Sequence, residues 1–510
     1  MLAKVSSCCT NGIDAYLVDV EIDIAAGLPA FSIVGLPDTA IRESRDRIKA
    51  AIKNSGFNFP SRRVTVNLAP ANLKKEGPGF ELPIAIGIMV TNNILSQEEV
   101  KDYLFCGELS LDGRIKHVKG ILPIVMKMQD FHKDKIILPN ANANEASVAK
   151  DIKAYPVKDL YEVVDFLKGA IEIKPQKSNT RILLRRNSQY RVDFNDVKGQ
   201  YHVKRGLEIA AAGSHNLLLI GPPGSGKSML AKRLPTIISD MTLDEALQTS
   251  KIHSVCGLLS PKRGIKATRP FRSPHHTISY SALVGGGTYP RPGEISLAHN
   301  GVLFLDELPE FNRNVLEALR QPVEDGNIIV TRVEGRVAYP ARFMLACAMN
   351  PCPCGFFTDP KNECHCTPYQ IQKYLSKISG PLLDRIDIHL EVPRLTYEQL
   401  SSKRDGEPSL PIRKRVNRAR SLQGQRYKKD GINFNAYLEP KMLDRYCTLD
   451  KEGEELLKMA ILEIGLSARA YDKILKLART IADLDEKENI EAKHISEAIG
   501  YRSLDRNLWA

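Results

Sequence analysis

The sequence predicts a multidomain α/β protein with a parallel sheet in its central part and a helical C-terminal part. Its 510 residues exceed what one hydrophobic core organises, so we expect about three domains. Strand-like and helical patterns alternate through the first three quarters of the chain, and a glycine-rich turn joins a short apolar run to a helical segment at 221–228. After about residue 411 the apolar spacing is helical.

The N-terminal part, residues 1–172, has the patterns of a compact α/β domain. Residues 15–24 alternate apolar and polar side chains, and residues 64–68 and 135–139 form similar short runs, which indicates three strands. Residues 40–54 carry isoleucines at the spacing of an amphipathic helix. A basic linker, 173–192, follows.

The protein is strongly basic, and its net charge of +12 favours binding to anionic partners. Two runs contain basic residues and no acid, whereas a solvated helix mixes both signs. The first comprises Lys174, Lys177, Arg181, Arg185, Arg186 and Arg191, and the second Arg413, Lys414, Arg415, Arg418, Arg420, Arg426, Lys428 and Lys429. Such runs favour contact with phosphates, and a solvated linker is the alternative for the first.

Residues 193–395 form the predicted core, and residues 396–510 a helical lid domain. Short apolar runs at 216–220, 301–305 and 342–348 are candidates for buried strands of one parallel sheet. Phosphate chemistry belongs at the carboxyl edge of such a sheet. The lid helices are expected at 454–464, 468–484 and 491–499.

The turn after the first of these strands is a nucleotide-binding motif. Its residues fit G-x-x-x-x-G-K-[ST] between a strand and a helix, and they are Gly221, Pro222, Pro223, Gly224, Ser225, Gly226, Lys227 and Ser228. Glycines let backbone N–H groups surround a phosphate, Lys227 places a charge at the β- and γ-phosphates, and Ser228 can ligate Mg²⁺. The motif predicts an ATP site, and a chance glycine-rich turn is the alternative.

Two acids complete this site. The apolar run that precedes Asp306 and Glu307 is expected to deliver both at the end of a buried strand. Asp306 can hold the Mg²⁺ shell and Glu307 can polarise the attacking water. Together with the loop they predict ATP hydrolysis.

Three further residues are candidates for the same chemistry. Asn350 ends a strand-like run and could bridge the γ-phosphate and the water, and Arg385 is placed to reach a neighbouring subunit as an arginine finger. Arg469 opens a lid helix and could sense the nucleotide. An asparagine strand cap and surface ion pairs are the alternatives.

Seven longer segments of the chain resemble a known family, and they are FSIVGLPDTAIRES (31–44), VNLAPANLKKEGPGFELPIA (66–85), FRSPHHTIS (271–279), ISLAHNGVLFLDELPEF (295–311), AMNPCPCG (348–355), SGPLLDRIDIH (379–389) and LSARAYDKILKLARTIADL (466–484). With them the chain resembles the YifB/ComM family of Mg-chelatase-like AAA+ ATPases. The resemblance implies a hexameric ring that acts on single-stranded or branched DNA in recombination, with recombination proteins as partners. Competence-associated members imply a branch-migration helicase in natural transformation.

The N-terminal part resembles the proteolytic domain of Lon proteases, which use a serine–lysine dyad. Gly79 stands where that family has its nucleophile, and Leu122 falls near the lysine position. Neither side chain can attack or deprotonate, so we expect a fold without protease activity. Oligomer contacts, DNA binding and a plain scaffold are the alternatives for its role.

Four of the ten cysteines cluster around one short loop, in a segment at 350–367 that we expect to be a zinc-binding insertion. Cys352, Cys354, Cys364 and Cys366 form a C-x-C…C-x-C arrangement that suits a structural tetrahedral Zn²⁺ site. His365 could replace one cysteine. Reduced thiols or a disulfide are the alternative.

Two segments are candidates for contact with DNA in a central pore. Residues 328–337 alternate like a β-hairpin with a turn at 334–335, and Arg332 and Arg336 would flank its tip. The segment around Arg272, with His275 and His276, suggests a second pore element, and a histidine metal site is the weaker alternative.

Other function classes are weighed against this hypothesis. No apolar run approaches a membrane span and no secretory signal is visible, so we expect a cytoplasmic protein without a membrane partner. A Mg-chelatase-like motor that remodels a protein or inserts a metal is the main rival. A non-catalytic clamp is the second rival, and a protease the third.

Overall fold

The computed structural model of the protein describes residues 2–177, 183–184, 188–287, 290–332, 335–357, 359, 361–401, 406–464 and 468–502. Within them the chain forms two compact units. The first consists of Met1–Ser188 and Thr242–Ala267, and the second of Gln189–Met241 and Thr268–Ala510. Arg181, Arg185 and Arg186 of the expected linker lie outside the described residues.

The first part of the chain contains nine strands and six helices among the described residues. The strands are β1 (Leu2–Asn11), β2 (Asp14–Ala25), β3 (Ala30–Val34), β4 (Arg63–Ala69), β5 (Tyr103–Phe105), β6 (Glu108–Leu109), β7 (Ile115–Lys116), β8 (Lys135–Pro139) and β9 (Lys153–Val157). The helices are α1 (Thr39–Asn54), α2 (Glu81–Thr91), α3 (Gln97–Val100), α4 (Ile121–Lys127), α5 (Ala143–Ala146) and α6 (Leu160–Leu167).

The rest of the chain is richer in helices. Its strands are β10 (Leu217–Ile220), β11 (Phe271–Arg272), β12 (Gly285–Gly286), β13 (Arg291–Pro292), β14 (Val302–Leu305), β15 (Asn327–Arg332), β16 (Gly335–Pro340), β17 (Met344–Met349) and β18 (Ile388–Glu391). Its helices are α7 (Tyr201–Gly213), α8 (Lys227–Ile237), α9 (Leu243–Val255), α10 (Tyr280–Val284), α11 (Glu294–Leu297), α12 (Arg313–Glu317), α13 (Arg320–Asp325), α14 (Pro368–Leu375), α15 (Gly380–Leu383), α16 (Tyr397–Ser401), α17 (Ser409–Arg426), α18 (Pro440–Tyr446), α19 (Lys451–Ile464), α20 (Ala468–Leu484) and α21 (Ala492–Gly500).

The first unit is built on a seven-stranded sheet in the order β3-β4-β2-β1-β5-β8-β9. β1, β2 and β4 pair antiparallel, whereas β3, β5, β8 and β9 join in parallel. Helix α2 packs on this sheet with all eleven residues buried, as its nearly unbroken apolar sequence requires. The expected mixture of strands and helices is confirmed in this part of the chain, and the predicted strands at 15–24, 64–68 and 135–139 are present.

Helix α9 folds with the first unit although its chain position lies inside the expected core. The Ser254 hydroxyl donates to the buried Glu145 carboxylate at 2.5 Å, and the Gly120 N–H donates to the Ser254 carbonyl at 3.2 Å. The Asn144 side chain also donates to the Pro261 carbonyl at 3.0 Å. These hydrogen bonds satisfy polar groups of both segments. They explain why residues 242–267 belong to the first unit and not to the expected ATPase core.

The second unit contains a five-stranded parallel sheet in the order β11-β14-β17-β10-β18. All residues of β10, β14 and β17 are buried. The expected parallel sheet is therefore confirmed. The polarity of the strands places the residues after β10, β14 and β17 at one edge, the carboxyl edge.

Most arginines of the second basic run form ion pairs within the second unit. They lie on helix α17, and their partners are carboxylates of other segments: Arg413 pairs with Asp240, Arg415 with Glu208 and Glu407, Arg418 with Glu486, and Arg426 with Asp483. The run has no acid in sequence, but acids reach it through folding. The expected phosphate contact therefore has to compete with these ion pairs.

Within the residues that the structure describes, no helix is long and apolar enough to cross a membrane.

We predict that Asp483→Ala lowers the free energy of unfolding by about 3–5 kcal/mol. The Asp483 side chain is fully buried and pairs with Arg426 at 2.5 Å and with Arg479 at 3.1 Å, so its removal leaves two largely buried guanidinium charges without their carboxylate. Glu486→Gln is the control, because its pair with Arg418 is exposed and contributes roughly 0–1 kcal/mol. Equal losses of the two variants in chemical denaturation would contradict a stabilising role for the buried carboxylate.

Candidate nucleotide and metal sites

The predicted phosphate-binding loop lies between β10 and the amino end of α8. Gly224 and Gly226 have φ of 77° and 97°, in the left-handed region that favours glycine. A Cβ at Gly221 would collide with the carbonyl oxygen of Val392. The loop therefore needs glycine at three positions, and its backbone leads into a helix whose N-terminal N–H groups favour phosphate.

Lys227 is held inside this loop. Its ammonium donates to the carbonyl oxygens of Gly221 at 2.7 Å and Pro222 at 3.0 Å, and to the Asn350 side-chain oxygen at 3.1 Å. Burial lowers the pKa of Lys227, and the nearby Asp306 and Glu307 oppose that shift. The positive charge is thus held inside the loop, between its carbonyl groups and Asn350.

Ser228 and Asp306 meet at the carboxyl edge. The Ser228 hydroxyl donates to the Asp306 carboxylate at 2.5 Å. A hydroxyl and a carboxylate at this distance are hard oxygen ligands of the kind that Mg²⁺ prefers beside phosphates. The structure brings together Lys227, Ser228, Asp306 and Asn350, as the sequence predicts.

Glu307 has a strained backbone and a histidine partner. Its φ of 56° is unusual for a residue other than glycine, and such strain concentrates at functional sites. Its carboxylate lies 3.2 Å from Nδ1 of His276 and is 59% exposed. Glu307 is therefore open to solvent water and oriented by a neighbour.

Two residues of this site were not predicted from the sequence. His276 was expected to be a pore residue. It follows β11, and Glu307 follows the adjacent parallel strand β14. Because parallel neighbours end at the same edge, this order along the chain is the signal that could have predicted the contact between them. Gln200, the second of the two, is buried and its side chain donates to the Ser225 carbonyl at 2.9 Å. No motif spacing indicated Gln200.

The two candidate arginines lie at the opposite edge of the sheet. The Asn216 side chain, just before β10, donates to the Arg385 carbonyl at 2.9 Å, so Arg385 sits at the amino end of the strand whose carboxyl end carries the loop. Arg385 pairs with Glu324 and is 11% exposed. Arg469 pairs with Asp384 at 2.9 Å. β10 alone spans about 13 Å, so neither arginine joins the loop of its own chain.

The four clustered cysteines can hold one metal ion. The sulfurs of Cys352, Cys354, Cys364 and Cys366 all lie within 4.8 Å of one another. Cys352 is 3.3 Å from Cys354 and 3.7 Å from Cys364, and Cys354 is 3.6 Å from Cys364. A tetrahedral ion with bonds of about 2.3 Å places its sulfurs about 3.8 Å apart. The cluster follows Asn350 directly, so it lies next to the nucleotide site.

Three family models match successive parts of this chain. The model described as "Magnesium chelatase, subunit ChlI" matches residues 193–400, "Subunit ChlI of Mg-chelatase" matches 20–142, and "Magnesium chelatase, subunit ChlI C-terminal" matches 406–502. The chain is 45% identical to competence protein ComM of Haemophilus influenzae, over 99% of this chain and 98% of that protein. It is 43% identical to YifB of Escherichia coli, over 98% and 96%.

The chain belongs to the YifB/ComM family of Mg-chelatase-like proteins. A more distant likeness is the magnesium-chelatase 38 kDa subunit of Rhodobacter capsulatus, which is 24% identical over 31% of this chain and 50% of that protein. The matches to ComM and YifB thus cover nearly the whole chain, whereas the match to that chelatase subunit covers about a third of it.

The candidate DNA contacts of this family member lie on β11 and on the hairpin of β15 and β16. Arg332 pairs with Gly335 in the hairpin and donates to the Gly285 carbonyl at 3.0 Å. Arg336 is exposed. The predicted hairpin is present, and residue Glu334 of its predicted turn lies outside the described residues.

Arg272 is less available to an anion. Its guanidinium makes two contacts with the Glu294 carboxylate, at 2.5 and 2.6 Å. A phosphate at this position would have to displace that carboxylate. The rings of His275 and His276 lie in contact, with centroids 4.1 Å apart and planes tilted by 34°.

The two positions compared with the Lon dyad lie in the first unit. Gly79 precedes α2, and a Cβ there would lie 3.2 Å from the Val118 side chain. Leu122 is fully buried, and its N–H donates to the Glu145 carboxylate at 3.0 Å. Glycine and leucine offer no nucleophile or base at these positions.

We predict that the protein purifies with about one divalent metal ion per chain and that Cys354→Ser lowers this content to a trace. Loss of one thiolate leaves an incomplete tetrahedral site. Elemental mass spectrometry measures the content, and Cys256→Ser is the control because Cys256 lies outside the cluster. Full metal content in Cys354→Ser would contradict the assignment.

Proposed function

We propose that this protein is a hexameric, ATP-driven DNA motor that catalyses branch migration in homologous recombination and natural transformation. One observation carries the proposal: the loop lysine, the Ser228–Asp306 pair and Asn350 converge at the carboxyl edge of the parallel sheet, beside a strained Glu307. This arrangement has the parts that phosphoryl transfer requires.

The loop backbone and Lys227 would bind the β- and γ-phosphates, and Ser228 and Asp306 would hold Mg²⁺. When bound there, Mg²⁺ would supply positive charge that offsets the charge of the phosphate oxygens. Glu307 would accept a proton from the attacking water, and His276 orients its carboxylate. Asn350 bonds to Lys227 and would position the γ-phosphate.

Arg385 would act on the ATP bound by a neighbouring chain. It lies at the edge opposite its own loop, next to the Arg469–Asp384 pair. In a ring of like subunits, one edge of each chain can face the other edge of the next. Arg385 would leave Glu324 to stabilise charge on the neighbour's γ-phosphate, and Arg469 would sense that nucleotide from the lid.

DNA is the proposed partner for three reasons. The relative that matches the whole chain at 45% identity is named a competence protein. The chain has a net charge of +12, and the exposed Arg336 and the half-buried Arg332 flank the tip of a hairpin suited to a pore. Recombination proteins in the cytoplasm would load the ring.

The metal at the cysteine cluster is proposed to be zinc. Four thiolates with the observed sulfur spacing suit a closed tetrahedral site. A closed site has no open position for catalysis, so its role would be to hold the segment after Asn350 in place.

A Mg-chelatase-like motor that remodels a protein or inserts a metal is the second candidate. Its support is the three matching chelatase models. The matches to ComM and YifB over nearly the whole chain favour the DNA motor.

We predict ATP-dependent branch migration of a synthetic four-way junction by the purified protein. Lys227→Ala should abolish it, because removal of an electrostatic contact to the transferred phosphoryl costs about 10²-fold or more in rate. Strand exchange is read on native gels with labelled arms. A junction that remains unprocessed while DNA-independent ATP hydrolysis is normal would favour the chelatase-like alternative.

Glu307→Gln is the matched control for folding and assembly. It keeps the size of the side chain and removes the base, so this variant should bind ATP and assemble without hydrolysing it. Normal turnover by Glu307→Gln would overturn the role given to Glu307.

A further inference from the structure

An open cavity lies in the first unit, on the side of the loop that follows α1. Loop 56–60, between α1 and β4, forms one wall, and Asn92 and Ile94 after α2 form the other. Its volume is about 390 Å³. The Asn92 side chain donates to the Asn58 carbonyl at 3.1 Å, and the Phe57 N–H donates to the Ile52 carbonyl at 3.1 Å. The loop is therefore fixed by hydrogen bonds.

Two aromatic rings of loop 56–60, Phe57 and Phe59, line this cavity and pack against further aromatic rings. Phe57 stacks on Tyr161 with ring centroids 6.2 Å apart and an interplanar angle of 25°. Phe59 packs against Phe31 at 5.7 Å. Tyr161 is 57% exposed, so one side of its stack with Phe57 is open to solvent. Flat aromatic faces at a solvent-open cavity are suited to stack on planar rings of a ligand.

Exposed cations surround the same loop. Arg45, Lys49 and Lys53 are four residues apart along α1, so they form a stripe on one helix face with steps of about 6 Å. The Lys49 ammonium lies 5.9 Å from the centre of the Phe59 ring. Arg62 and Arg63 follow the loop and are exposed.

Few acids oppose these cations. Among the exposed charged residues from the start of α1 to Arg63, six are basic and two, Glu43 and Asp46, are acidic. The nearby Arg47 is paired with Glu81 at 2.5 Å and is not part of the stripe. Next to Tyr161, the Glu162 carboxylate accepts the Lys158 N–H at 2.6 Å. The face is therefore positive around an aromatic centre.

We propose that this face binds single-stranded DNA. The stripe on α1 and the two arginines would follow the phosphates, while unpaired bases stack on Tyr161 and the Phe57–Phe59 loop. A strip of cations beside exposed aromatic rings is the arrangement that holds single strands without sequence preference. In a duplex the bases are already stacked on one another, so the aromatic rings gain nothing from it.

The choice of DNA rests on the proposed function, because a branch-migrating ring must hold a strand near the point where duplexes exchange. The binding itself does not depend on ATP hydrolysis. The two ideas can therefore fail separately.

The test uses the full-length protein with Lys227→Ala, so that no ATP is consumed. Fluorescence anisotropy measures binding of a labelled oligothymidylate and of a labelled duplex over a series of salt concentrations. Lys49→Gln with Lys53→Gln should weaken binding of both and lower the salt slope by about two, one for each lost phosphate contact. Tyr161→Ala should weaken binding of the single strand about tenfold and leave the duplex unchanged.

Matched controls lie in the same unit. Lys101→Gln with Lys127→Gln removes two exposed lysines that are paired with acids, and Leu111→Ala removes an exposed apolar residue. These variants should bind as the parent does. Parent-like binding and salt slope in the double Lys49/Lys53 variant and in Tyr161→Ala, or equal losses in the controls, would overturn the proposal. Branch migration that persists in the ATPase-competent form of those variants would leave the proposed motor function standing.

Discussion

The polarity of the five-stranded parallel sheet is the constraint on which the rest of the structure depends. Because all five strands run in one direction, the loop at Gly221–Ser228, Asp306 and Asn350 emerge at the carboxyl edge. Arg385 emerges at the amino edge before β18 and is held there by Asn216. In the proposed function, one chain would therefore carry two halves of an ATP site, and a second copy of the chain would bring them together.

The residues at the two edges have different partners. Lys227 is fixed by two loop carbonyls and Asn350, so this half of the candidate site is preorganised. Arg385 donates to the Pro381 carbonyl at 2.5 Å and pairs with the exposed Glu324 carboxylate. In the proposed ring, Glu324 would release Arg385 to a neighbour's phosphate, and this exchange of anionic partners would link ATP binding to assembly.

The sequence predicted much of the nucleotide site and less of the first unit. Glycine spacing and buried apolar runs located β10 and β14 because both signals are local. β1 was not predicted because its residues, LAKVSSCCTN, have little apolar alternation, yet it lies centrally and pairs with β2 over ten positions. The packing of α9 with the first unit and the contact between His276 and Glu307 both depend on segments that are far apart in sequence. No local sequence pattern encodes such contacts. Likewise, the ion pairs between the arginines of α17 and acids of other segments could not be predicted from the local sequence. The exposed cations of α1 were not predicted as a binding face because they lie in a short stretch of mixed charge.

The most direct measurement of ATP hydrolysis shared between subunits is complementation between two inactive variants. Lys227→Ala disables the phosphate-binding half and Arg385→Ala the opposite edge, so neither alone should hydrolyse ATP. When the two are mixed in equal amounts and allowed to exchange, about a quarter of the interfaces should pair an intact loop with an intact arginine, and ATP hydrolysis should return in proportion. A mixture as inactive as its components, with mixed assemblies shown by native mass spectrometry, would contradict a site shared between neighbouring chains.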